Sequence, residues 1–201
     1  TVEEMFTRMA PNMDFGMKLI FANFGLFKPL LVKLLPSISS AAGAMIRTTC
    51  AFTTAKGSDG LNVLPQEAYV TANMRFIQHQ PTDESIAIIT KIAKKYNIET
   101  EVIYKDDPCP IVDFNGKPFK LIEEVAAEVY PGIGISPYCM TGGTDAKYYR
   151  DLSDNCLRFA PLYIDEQQYG SIHGLNESIY QGALPYGVDF YKGVIKKSGN
   201  N

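Results

Sequence analysis

Only two histidines occur in this chain, and His173 stands in the run Ile172-His173-Gly174-Leu175-Asn176-Glu177. Upstream lies a glycine turn, Met140-Thr141-Gly142-Gly143-Thr144-Asp145-Ala146. An imidazole can bind a metal or move a proton near neutral pH, but a lone histidine is more often a surface or core residue. A catalytic zinc takes about three protein ligands and keeps one position open for water, and nothing else here stands at a metal-ligand spacing. Gly142 and Gly143 strip side chains from the turn so that backbone N–H groups can approach a ligand, and Thr144 adds a hydroxyl. Such a nest suits an anionic group, although any tight turn can have this composition. Asp145 either orders the loop or hydrogen-bonds to a metal ligand. Arg75 carries a planar fork matched to two carboxylate oxygens; the plainer reading is a solvated strand arginine. Asn62 sits between two strand-like runs, where ordinary turn chemistry tolerates a positive φ.

The surrounding pattern predicts the elements that hold these residues. A β-rich run over 47–56 closes on Gly57-Ser58-Asp59-Gly60, which has turn chemistry. Over 69–77, Val70, Ala72, Met74 and Phe76 alternate with Tyr69, Thr71, Asn73, Arg75 and Ile77, predicting a strand with one core face and one mostly polar face. Ile86, Ile89, Ile92, Ala93 and Tyr96 predict a helix over 83–96, followed by a strand over 98–104. With an amphipathic helix ahead of Arg47, this is most of a split βαβ sandwich whose first strand is expected upstream of Thr1. Asp106-Asp107-Pro108-Cys109-Pro110 marks a boundary, giving domains at 1–107 and 108–201. Beyond it, Phe119, Ile122, Val125, Ala126 and Val129 predict a helix, 134–140 and 157–162 short buried strands, and 185–197 a last helix opening at Pro185. The polar tail, 196–201, is expected to fray.

Composition excludes several classes. The 201 residues, 46% apolar, suffice for a real core. A net charge of −3 with scattered basic residues gives no footprint for nucleic acid. The four cysteines, Cys50, Cys109, Cys139 and Cys156, form no C-x-x-C pair and read as thiols of a reducing compartment. A cytoplasmic location follows as an expectation, with no signal peptide at Thr1. The apolar stretch 17–35 is interrupted by Lys18, Asn23, Lys28, Pro29 and Lys33, short of the ~20 apolar residues of a membrane span. It reads as a core or groove helix, with membrane-surface binding as the alternative.

The two segments around Gly142 and His173 resemble the C-terminal end of the co-catalytic zinc amidohydrolases, the superfamily of carboxypeptidase S, aminoacylase and acetylornithine deacetylase. Asn62-Val63-Leu64-Pro65 looks like the Asn-Val-Ile-Pro turn of that family's lid, or dimerisation, domain, and Ala72-Asn73-Met74-Arg75-Phe76 resembles the strand after it. The bulky apolar segment ahead of Arg47 brings the chain nearest to the carboxypeptidase S and N-acyl-amino-acid hydrolase branch. The resemblance implies an α+β lid, with an antiparallel sheet and helices on one face, joined to an incomplete α/β catalytic domain.

It also implies that His173 ligates one of two zinc ions and that Asn62 donates to the scissile carbonyl oxygen. Arg75 would meet the substrate carboxylate, and Gly142, Gly143 and Thr144 would border its pocket. The family's His-x-Asp, bridging aspartate and Glu-Glu pair with the general base find no match here. Glu3-Glu4 and Glu123-Glu124 read as solvated charges, Asn176 and Glu177 as local structural residues, and His79 as a loop residue. No catalytic residue is therefore expected in this chain, which reads as an inactive fragment of a hydrolase of N-acyl amino acids or small peptides, homodimeric through its lid. The alternative is a non-catalytic dimerisation or binding module of the same fold. A serine hydrolase built on Ser171 and His173 fails, because no nucleophile elbow surrounds any serine.

Overall fold

The computed structural model describes residues 1–199. Among them, eight α-helices and one antiparallel pair of strands make an α+β fold. The chain divides into two compact units: Thr1–Phe24, Ile111–Tyr138 and the segment from Thr144 onward form one, and Gly25–Pro110 with Cys139–Gly143 forms the other. The second break falls close to the expected boundary after residue 107. Thr1–Phe24, assigned from sequence to the lid, belongs instead to the unit that holds the C-terminal segment.

That grouping has a packing cause. Helix α1 (Val2–Met9) buries Met5 and Phe6, and the Phe6 ring stacks on Phe21 of α2 (Phe15–Ala22) with centroids 4.2 Å apart. Arg8 pairs with Glu4 at 2.6 Å and also with Glu123 of α6 (Lys117–Val129). Its guanidinium lies 6.0 and 5.9 Å from the Phe114 and Phe119 ring centroids. The hydrogen bonds to Glu4 and Glu123 raise the Arg8 pKa further above an already high value. Glu123, read from sequence as solvated, is thus a half-buried ion-pair partner.

The core of this unit is the contact of α6 with α8 (Leu184–Ser198), where Val125, Ala126 and Phe190 are buried. Both helices carry proline in the first turn, where its missing N–H costs nothing. Lys197, in the last turn of α8, reaches Glu124 and Glu128 on α6, so Glu124 is also paired. The predicted strands at 134–140 and 157–162 do not form. In the latter, Leu157 N–H donates to Asn155 O at 3.0 Å and Leu162 N–H to Ala160 O at 2.8 Å. These tight local turns consume donors a ladder would need.

In the other unit, α3 (Phe24–Ile38) turns Leu31 and Leu35 inward. Helix α4 (Ser40–Ile46) follows, its first turn capped by the Ser39 hydroxyl, which accepts from Ala42 N–H at 3.3 Å. Strands β1 (Thr49–Lys56) and β2 (Tyr69–Arg75) pair antiparallel from Thr49 opposite Arg75 to Lys56 opposite Tyr69, with an irregularity between Phe52 and Thr54. The core face expected of β2 is not buried by this chain, Val70 being 54% exposed.

Helix α5 (Thr82–Lys94) matches the expected helix to within two residues, but no strand follows it. Asn97 takes a left-handed backbone, φ 55°, and Ile98 N–H donates back to Ala93 O at 3.1 Å. This Schellman-type cap commits the N–H that would open a ladder. The fraying tail was expected over 196–201; α8 includes Lys196, Lys197 and Ser198, and 200–201 lie outside the described residues.

Candidate functional site

Arg75 is the last residue of β2, exposed, and its Nη1 donates to the carbonyl oxygen of Thr141 at 2.8 Å. The guanidinium is therefore tethered to the backbone immediately before Gly142, and of its five donors it spends one there. A Cβ at Gly142 would lie 3.2 Å from the Met140 methyl, whereas one at Gly143 would meet open space. The absent side chain thus matters for packing at Gly142 and leaves the backbone open to approach at Gly143. Asn62 lies exposed in the turn between β1 and β2. Among the described residues, left-handed backbone outside glycine is found at Asn97, His173 and Asn176, so Asn62 does not use the positive φ its type allows.

In the other unit, Thr144 caps the 3-10 turn Asp145–Tyr148, its hydroxyl oxygen accepting from Ala146 N–H at 3.4 Å. The same oxygen accepts from Arg158 Nε at 3.2 Å. The Thr144 oxygen thus accepts twice, which leaves its own O–H able to donate. Arg158, half-buried, is a loop neighbour that sequence reasoning missed. One sequence gives no signal linking positions fourteen apart across an irregular segment. Asp145 is exposed at the head of the turn.

His173 follows α7 (Glu166–Ser171), a short helix fixed by a capping box in which Asp165 and Gln168 exchange hydrogen bonds. The chain turns as Gly174 N–H donates to Ser171 O at 2.8 Å. His173 takes φ 63° and Asn176 φ 61°. A non-glycine residue in this region costs on the order of 1 kcal/mol and persists only where its surroundings hold it. Glu177 Oε2 supplies that hold by accepting from His173 N–H at 3.2 Å. The structural roles expected of Asn176 and Glu177 are present as this left-handed turn and its clasp. His173 itself is exposed.

Among the described residues, no group of three or more histidine, cysteine, aspartate or glutamate side chains could hold an ion. His173 contributes one donor, and none of the four cysteines is in a disulfide.

A family model for the peptidase dimerisation domain matches residues 28–101, spanning α3, α4, the β1–β2 pair and α5. The chain is 30% identical over 197 residues to an N-fatty-acyl-amino acid synthase/hydrolase of Xenopus tropicalis, covering 98% of this chain and 38% of that protein. To a carboxypeptidase S-like protein of Dictyostelium discoideum it is 27% identical over 182 residues, 90% of this chain and 35% of the relative. To the human N-fatty-acyl-amino acid synthase/hydrolase it is 28% identical over 201 residues, 98% of this chain and 40% of the relative. The chain thus spans roughly two fifths or less of each of these relatives. No solved structure matches. Among the described residues, no single helix is long and apolar enough to cross a membrane. The match to the dimerisation domain and the relatives that extend it over nearly all residues agree: the chain belongs to the peptidase family of carboxypeptidase S and the N-acyl-amino-acid hydrolases.

Proposed function

We propose that this chain is the lid together with the C-terminal part of the catalytic domain of a zinc-dependent amidohydrolase. Its substrates are N-acyl amino acids or small peptides with a free carboxylate. His173 is one zinc ligand, and the remaining ligands and the general base belong to polypeptide outside this sequence. Arg75 and the Gly142-Gly143-Thr144 loop hold the carboxylate, Asn62 donates to the scissile carbonyl, and the lid pairs two copies. The single observation that carries this reading is the presentation of His173: exposed, in a left-handed turn and clasped by Glu177. The rival reading, a dimerisation module without catalysis, accounts for 28–101 and gives no reason for similarity over 98% of the chain. By itself the chain is inactive, since one imidazole is not a metal site.

The test is complementation. The chain is mixed with a purified N-terminal portion of the enzyme that carries the missing ligands, and zinc-dependent release of free amino acid from an N-acyl amino acid is measured. Activity should appear with both portions present and vanish in His173→Ala, with one zinc equivalent lost by elemental analysis. Full zinc content and full activity in that variant would end the assignment of His173.

A further inference from the structure

Arg158 is a charge without a counter-charge. It is half-buried, and its Nε donates to the Thr144 hydroxyl oxygen at 3.2 Å. The other half-buried arginines of its unit are compensated: Arg8 pairs with Glu4 and Glu123, and Arg150 lies 4.0 Å from Asp151. Among the described residues, no carboxylate stands in that relation to Arg158. Asp145, next to Thr144 in the chain, and Asp154, close to Arg158 in sequence, are both exposed, and neither pairs with it. A guanidinium partly withdrawn from water is costly unless charge and hydrogen bonds replace that water. One neutral hydroxyl replaces little of it.

The Thr144 contact also fixes what remains. A guanidinium has five N–H donors in one plane, and Nε uses one of them here. Those on the two Nη groups have no protein acceptor among the described residues. Thr144 accepts from Ala146 N–H and from Arg158, so its own O–H is also left to donate. Two touching side chains thus present unused donors, one of them cationic. The match is an anion with two oxygens, and a carboxylate takes parallel N–H bonds from such a fork. We propose that Arg158, steadied by Thr144, binds the free carboxylate of the substrate and selects acids over their carboxamides. This rests on the reading that the loop ending at Thr144 holds that carboxylate. A carboxamide replaces one acceptor oxygen with an N–H donor, which meets the donors of the fork and leaves some of them unpaired.

An acid of polypeptide outside this sequence would also satisfy the charge, and kinetics separate the two. The reconstituted enzyme, this chain with the N-terminal portion, is assayed on N-lauroylleucine and on its carboxamide. Arg158→Gln should raise KM for the acid by about tenfold or more, with kcat nearly unchanged and the carboxamide unaffected. Arg158→Lys, which keeps the charge, should keep part of the preference. Equal losses on acid and carboxamide would make Arg158 a support of the turn and overturn the proposal. So would an unchanged KM. Weaker association of the two portions in Arg158→Gln, with the preference for the acid intact, would assign Arg158 to an acid of the other polypeptide and overturn it too. A wild-type pair that hydrolyses neither compound counts against the hydrolase reading. In that case the NMR signal of Arg158 Nε–H in this chain decides: the acid should shift it and the carboxamide should not, and a signal that neither moves ends the proposal.

Discussion

Two helices of equal length, α3 and α8, invert what their compositions suggest. Helix α3 is the richer in leucine, yet it leaves a whole apolar row in water. Helix α8 carries Asp189, Lys192, Lys196 and Lys197, yet it holds Phe190, one of the most buried large side chains. The difference lies in the surface each helix meets. A Cβ at Gly187 would stand 3.0 Å from a Leu162 methyl, and one at Gly193 would stand 2.7 Å from a Val125 methyl. Those two glycines bring the α8 backbone close to its neighbours, and the close approach buries Phe190 between α6 and Phe159. A Cβ at Gly25 in α3 would meet nothing within 4 Å. Burial is set by the fit of a partner, and apolar content only makes it profitable.

The largest effect expected from this contrast is at Phe190. Phe190→Ala removes a buried ring from the cluster shared by α6 and α8, and should cost about 3–5 kcal/mol in denaturant unfolding. A loss below ~1 kcal/mol, as for an exposed apolar residue, would mean that the α6–α8 contact does not hold this unit together. Gly193→Ala comes next. It gains helix propensity of ~1 kcal/mol but drives a methyl into Val125, a stiff β-branched side chain with no exposure. Overpacking of this kind costs ~1–3 kcal/mol, so the melting temperature should fall, and Val125→Ala in the same chain should restore part of it.

Smaller again is the effect at Tyr130, at the end of α6. Its hydroxyl donates to Pro161 O at 2.8 Å, and its ring stacks on Tyr186 with centroids 5.6 Å apart. Burial, then the neighbouring Tyr186, raises its pKa above the usual tyrosine value. Because the folded value is raised, the unfolded chain ionises first. Stability from this group is therefore full below the ordinary tyrosine pKa and is lost as pH climbs through the raised one. Tyr130→Phe should cost ~0.5–1.5 kcal/mol at neutral pH and should delete one late-titrating tyrosine from an absorbance titration. An unchanged titration curve would place the late tyrosine elsewhere.

The same contrast explains what the sequence disclosed. Helices α5, α6 and α8 were legible because each has a stripe at helical spacing and a start signal, Pro118 and Pro185 being the plainest. The β1–β2 pair was legible from alternation, although its burial was not. The strands at 98–104, 134–140 and 157–162 were misread because apolar residues alone do not supply a ladder partner. Asn97 in a left-handed cap and the tight turns at Leu157 and Leu162 had already spent the donors. For the site, residue types and order were readable through family resemblance, while the tether of Arg75 to the Thr141 carbonyl was not. Illegible were the left-handed backbone at His173 and the Arg158 contact to Thr144, since both arise from irregular chain whose path no periodicity encodes.

The gentlest prediction reverses the sign of the second. Gly25→Ala places a methyl on α3 where no atom waits, at a glycine whose φ is not left-handed. It removes backbone freedom from the unfolded chain and adds no strain to the folded one, so stability should rise by ~0.4–1 kcal/mol. Being near the start of the helix, the gain should fall in the lower part of that range. One and the same substitution, glycine to alanine, should thus destabilise α8 at Gly193 and stabilise α3 at Gly25. The pair of melting curves measures directly whether a neighbour or empty space stands beside each helix. If Gly25→Ala instead lowers the melting temperature, then something covers α3 in solution. The outward leucine row would then be an occupied interface.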